Sequence, residues 1–154
     1  MARMRTFQSQ PRTQSSAGST HGGTVKVTLE LTKEQAETVV RALDLYSRIG
    51  CGQFHEIEAV LLSRWREAES NDEVRKSLDA AKNHMFPGIG GNTYFSIVNR
   101  KVPLDFRRAF DLMKCIQRPL AIARDPNPRY PTVDYDGALL NVSDEPLPRV
   151  SVVE

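Results

Sequence analysis

The sequence predicts an α+β fold: about four helices packed with a small antiparallel sheet built from N-terminal and C-terminal strands. Three observations predict it. "TVKVTLELT" (24–32) alternates Val25, Val27, Leu29 and Leu31 with polar residues, which gives a strand one apolar face. From Thr32 to about Arg118, apolar residues recur at helical spacing in four runs. "TVDYDGALLNV" (132–142) and "PRVSVVE" (148–154) then return to strand-like patterns. Strand, helices, then strands is the order of an α+β domain. A mainly helical bundle with a strand-like tail is the alternative.

Residues 1–23 are rich in Ser, Thr, Gln, Gly and Arg and hold one Phe. They cannot bury enough apolar surface to fix a backbone, so a disordered leader is expected, followed by one globular domain over 24–154. Arg3, Arg5 and Arg12 give the leader +3 with no acid. The whole chain carries +2, so the remainder carries −1. A nearly neutral domain gives little support to non-specific nucleic-acid binding, and a basic leader is the part that would serve it.

Thr32 is placed to cap the first helix, with Gln35 completing a capping box. Ala36, Val39, Val40, Leu43 and Ser47 share one face of that helix, while Leu45 and Ile49 point almost the opposite way. A helix apolar on two sides needs two surfaces to pack on, such as a sheet and a second copy of the chain. Gly50 fits the left-handed position that ends a helix, and Arg48 suits its negative end. The second helix is expected from about Gln53 to Arg66, with Phe54, Ile57, Leu61 and Trp65 as its stripe. "SNDE" (70–73) is a capping box opening a third helix, whose seam is Val74, Leu78, Ala81 and Met85. "FPGIGGN" (86–92) ends it, and "TYFSIV" (93–98) reads as a short strand. Pro103 and Asp105 suit the first turn of a fourth helix, whose buried face is Phe106, Ala109, Phe110, Met113, Ile116 and Leu120. Pro119 is expected to end or kink it near Arg118. Asp136-Gly137 marks a hairpin bend, and Pro148 places the last strand on a sheet edge.

Several function classes lose support at this stage. No apolar run approaches the roughly 18 residues of a membrane span, and the first residues lack the apolar stretch of a secretory signal. Two cysteines and three histidines, with no CxxC and no HExxH, give neither a disulfide framework nor a zinc site. "PGIGGN" is not followed by the GK[ST] of a phosphate-binding loop. No catalytic set is evident, so no enzyme and no cofactor are expected.

Three places could still bind. In "SRIGCGQFHEI" (47–57) a helix start follows a glycine pair. Free amides beside Arg48, Gly50, Gly52, Gln53 and His55 could hold a phosphate or carboxylate; a plain helix–helix turn is the other reading. Cys51 lies near that helix start, where a thiol pKa falls. Glu58 projects into the apolar stripe, so it is either a functional carboxylate of raised pKa or a rim group bridged to an arginine. Arg107, Lys114 and Arg118 share a sector of the fourth helix, with Asp111 among them, and could meet phosphates or an acidic partner.

"RALDLYSRIGCGQFHEI", "VPLDFRRAFDLMKCI" and "VDYDGALLNVSDEPLPRV" occur in that order. Together they resemble a family of small accessory proteins encoded by tailed bacteriophages and prophages, over roughly residues 25–154. Leu45-Tyr46-Ser47-Arg48 followed by Gly50-x-Gly52-Gln53-Phe54 is the most specific part. The resemblance implies a non-virion accessory protein working in the host bacterial cytoplasm. Its expected partners are a host or defence component, or an anionic, nucleotide-like small molecule, with homo-oligomer formation possible and no membrane. In the family's pattern the fourth helix continues where this chain has Pro119. A nucleic-acid-binding regulator using the leader and the fourth helix is the alternative.

Overall fold

The computed structural model describes residues 27–64, 71–90, 93–135 and 141–152. The chain divides into two units, Met1–Glu30 and Leu31–Glu154. In the first, residues 27–30 form neither helix nor strand, and the leader expected over 1–23 lies outside the described residues.

The second unit is helical. It contains α1 (Lys33–Gly50), α2 (His55–Arg64), α3 (Asn71–Met85), α4 (Leu104–Arg124) and a short 3-10 turn at Val133–Tyr135. No strand occurs among the described residues, so the α+β expectation is overturned and the helical alternative describes the fold. A strand needs a partner to take its amides, and these segments spend theirs elsewhere. The Phe95 amide donates to Cys51 O, and those of Asn99 and Val102 donate to Ser96 O and Asn99 O, which makes 93–102 a run of turns. The Tyr135 amide donates to Thr132 O, closing the 3-10 turn where a strand was expected. The Val142 and Ser143 amides go to the Asp111 carboxylate. The bend at Asp136-Gly137 lies outside the described residues.

α1 begins as its sequence dictates. Thr32 Oγ1 accepts from the Gln35 amide at 3.3 Å, and Gln35 Oε1 accepts from the Thr32 amide at 2.9 Å. Its buried residues are Ala36, Ser47 and Gly50, all small, and it packs chiefly on α4, whose buried apolar residues are Ala109, Met113, Cys115 and Ala121. Small residues on both faces let the two backbones come close. A Cβ on Gly50 would lie 2.1 Å from Phe106 Cγ. The glycine is therefore required by packing. The left-handed residue of the corner is Gly52, at φ 84°, so the sequence reading assigned that conformation two positions too early.

α2 starts at His55 rather than Gln53, and packs on α3. Phe54 is buried and Ile57 half-buried, but Leu61 is exposed, and Trp65 lies outside the described residues. The α3 seam also needs correction. Ala81 and Met85 face solvent, whereas Lys82 is buried and its Nζ donates to Thr93 O at 2.6 Å. Leu78 and Lys82 lie one turn apart, so the inward face is rotated toward the lysine, whose stem packs while its ammonium finds a carbonyl. The Ser70 cap lies outside the described residues. Phe86 stands edge-on to Phe54 (5.8 Å between centroids) and to Phe95 (6.3 Å), joining the start of α2, the end of α3 and the loop before α4.

α4 runs through Pro119 to Arg124. Proline removes one amide donor, but the last turns are held from outside. Ala121 is buried, and its carbonyl accepts from both the Asp125 amide and Tyr135 Oη, at 3.0 Å each. Gln117 Nε2 donates to Asp134 at 2.7 Å. The expected break near Arg118 does not occur. Phe106, Phe110, Ile116 and Leu120 are half-buried on the expected face.

Candidate functional site

The α1–α2 corner is tied by Arg48. Its Nε donates to Asp44 Oδ2 at 2.8 Å, and its Nη1 donates to Glu56 Oε1 at 2.8 Å and to Gln53 Oε1 at 3.1 Å. One guanidinium thus joins the last turn of α1, the corner and the first turn of α2. Partial burial alone would lower its pKa, but the hydrogen bonds and charges of Asp44 and Glu56 outweigh that and raise it.

Three of the corner's amides are spent within the turn. Cys51 N donates to Ser47 O and Arg48 O, Gly52 N to Ile49 O at 2.9 Å, and Gln53 N to Arg48 O at 2.9 Å. His55 is exposed, with Nε2 3.5 Å from Glu56 Oε1. The backbone therefore makes the turn, while the side chains form the surface beside it.

That surface is an open cleft of about 390 Å³ between the corner and residues 94–97. Asp44, Arg48, Gln53, Tyr94 and Phe95 line it, with Phe110 from α4. Tyr94 is 54 % exposed. Of the residues singled out from the sequence, Arg48, Cys51 and Gln53 line this cleft; Gly50, Gly52, His55, Glu58, Arg107, Lys114 and Arg118 do not.

Glu58 is the bridged carboxylate. It is buried, and its two oxygens accept from Arg75 Nη2 at 2.9 Å and Nε at 3.1 Å. The Arg75 hydrogen bonds hold its carboxyl below the usual range, the opposite of a raised functional pKa. Cys51 and Cys115 are buried free thiols, and burial pushes both pKa values up, so the lowered thiol expected for Cys51 is also corrected.

The basic sector of α4 is not an open patch. Arg107 is buried and donates to Val102 O at 3.2 Å and Val142 O at 2.9 Å. Asp111, one turn on, is buried and accepts from the Val142 amide at 3.0 Å, the Ser143 amide at 2.8 Å and Ser143 Oγ at 2.5 Å. Arg108 forks onto Glu145 at 2.5 and 2.8 Å and also reaches Asp105, and Arg100 pairs with Asp144. Lys114 Nζ lies 3.3 Å from Val133 O. Arg118 Nε is buried with no hydrogen-bond partner among the described residues.

Sequence reading missed Tyr94, Asp44, Arg75 and the carboxylates Asp144 and Glu145. Only Asp44 had a local signal, four residues before Arg48 on the same helix. Among the described residues, no group of three or more metal-ligating side chains converges, and no helix is long and apolar enough to cross a membrane. Comparison with protein-family models, with curated proteins and with solved structures finds no match.

Proposed function

We propose that this chain is a non-enzymatic accessory binding protein of the kind its sequence resembles in tailed phages, acting on a host or defence component in the infected cell. In this reading the cleft at the α1–α2 corner takes a small anionic or nucleotide-like ligand. The observation that carries it is that Arg48 and the exposed Tyr94 line the same open cleft. A planar group stacks on Tyr94, the side-chain amide of Gln53 hydrogen-bonds its edge, and an anionic group competes for Arg48. About 390 Å³ lies at the small end of the range for ligand sites.

The ligand has to displace Glu56 or Asp44 from Arg48, because both carboxylates already hold it. A weak anion fails to do so. A ligand that adds stacking has the extra free energy to succeed. A panel of nucleotides and cyclic nucleotides, screened by thermal shift, tests this. A true ligand at about 100 times its dissociation constant stabilises by about 2.7 kcal/mol. Tyr94→Ala and Arg48→Gln each abolish that shift. If no member of the panel raises the melting temperature and host pull-downs retrieve no partner, the reading fails.

A further inference from the structure

Residues 141–152 belong to no helix or strand, yet 142–145 are held as a bound peptide is held. Backbone groups are read first: Asp111 takes two successive amides and Arg107 takes the Val142 carbonyl. Side chains are read next. Val142 is buried, Ser143 Oγ donates to Asp111, Asp144 pairs with Arg100, and Glu145 is gripped by the Arg108 fork. Every receptor group comes from α4 or the turn just before it.

We infer that the first turns of α4, with Arg100, form a docking site for the bent acidic segment Val142–Glu145, and that a second copy of this chain can supply that segment in place of the chain's own. Charge complementarity selects the occupant: three arginines face Asp144 and Glu145, and a second copy carries the identical sequence. The outer ion pairs are exposed on both sides, so solvent and salt weaken them and the segment can leave. With the segment gone, Arg107 and Asp111 lie four residues apart on one helix and can pair with each other, which lowers the cost of the empty state. Tethering favours the chain's own segment up to roughly millimolar protein, so the wild-type chain is mainly monomeric when dilute, with the exchanged dimer growing at high concentration.

Charge reversal tests this. Arg108→Glu in one chain and Glu145→Arg in another each place like charges at the fork within their own chain. Mixed, each segment meets an opposite charge on the partner. Native mass spectrometry and sedimentation of the equimolar mixture are expected to give a 1:1 dimer, with each variant alone monomeric. The double variant R108E/E145R restores the fork within one chain and returns to monomer. A mixture that stays monomeric, with both variants showing wild-type circular dichroism, overturns the inference. So does a mixture that stays monomeric while a synthetic peptide of residues 140–149 binds the E145R chain, since the occupant is then not a second copy. Hydrogen exchange on the wild-type chain decides the case if either variant fails to fold. The Val142 and Ser143 amides are expected to exchange at least tenfold faster than the buried amides of α4, and faster still in high salt. Exchange only with global unfolding means that the segment never leaves, and the inference falls.

Discussion

Gly50→Ala is the sharpest test of the fold, because two opposing effects differ in size. Gly50 is the last residue of α1 and its φ is not positive, so the backbone accepts alanine. Helix propensity alone then favours alanine by about 1 kcal/mol. Against this, the new Cβ meets Phe106 Cγ at 2.1 Å and Phe106 Cβ at 2.5 Å, where ordinary contact begins at 3.4 Å. A ring edge could swing aside, but a Cβ cannot, so α1 and α4 must separate by about an ångström. Overpacking of this kind costs about 1–3 kcal/mol, and the involvement of Phe106 Cβ puts this case at the upper end. The net expectation is a loss of about 2 kcal/mol, or about 8 °C in melting temperature at roughly 4 °C per kcal/mol for a domain of this size. Urea denaturation followed by circular dichroism measures it. The double-mutant cycle with Phe106→Ala should show about 1 kcal/mol of coupling, because the substitution removes the Cγ and Cδ2 overlaps and leaves the one at Cβ. Gly52→Ala is the control. Nothing lies nearer its Cβ than 3.8 Å, so its cost of about 1–2 kcal/mol comes from φ 84° alone and is untouched by Phe106→Ala. A Gly50→Ala chain at least as stable as wild type would refute the close approach of α1 to α4.

Four further outcomes are expected. The folded Glu58 carboxyl titrates below 4.5, so its contribution is complete above the unfolded value and is lost as pH falls through the lower folded one; Glu58→Gln should therefore flatten the acid limb of stability against pH, and an unchanged limb would mean that the Arg75 pair is not formed. Asp111→Ala strands the Val142 and Ser143 amides, and should cost about 3 kcal/mol or more while opening residues 141–152 to proteolysis. Pro119 leaves the Cys115 carbonyl without its helical donor, so Pro119→Ala should stabilise by about 1–3 kcal/mol in thermal melts, unless the ring itself packs. Burial raises both thiols, so Cys51 and Cys115 should resist alkylation in the native chain and react together on unfolding.

What could be read in the sequence was local. The Thr32–Gln35 box, the apolar face of α1 and the inward face of α4 follow from interactions three or four residues apart, and the structure has each of them. The expected sheet failed because alternation specifies which side chains share a face but not where a partner strand lies. Residues 93–98 are rich in aromatic and β-branched side chains, yet their backbone groups bond to Gly90, Cys51 and Asn99 instead of to a strand. The α3 seam failed at Lys82, which apolar periodicity counts as outward; a lysine can bury its stem once a carbonyl such as Thr93 O lies within reach. The missing amide of Pro119 is a local signal, whereas Asp134 and Tyr135, fifteen and sixteen residues later in the chain, hold the helix on either side of it through Gln117 and Ala121. In the candidate site, Arg48 and Gln53 were legible because the corner that places them is local. Tyr94, more than 40 residues away, came to the cleft only through packing.

Four arginines of this chain share one property that bears on every binding reading. Arg48 stands between Asp44 and Glu56, Arg75 on Glu58, Arg100 on Asp144, and Arg108 between Asp105 and Glu145. Cations already neutralised in this way release few condensed counterions from a nucleic acid, so Arg108 on α4 should add little to the salt dependence of DNA binding. The leader, with three arginines and no acid, lacks such partners in its own sequence. At the structured sites, recognition has to proceed by exchange: an incoming group replaces a resident carboxylate on an arginine. Such exchange gains little from charge alone, since one ion pair is traded for another. Selectivity then comes from whatever the newcomer adds, which is stacking on Tyr94 at the corner and backbone hydrogen bonds to Asp111 and Arg107 at the start of α4.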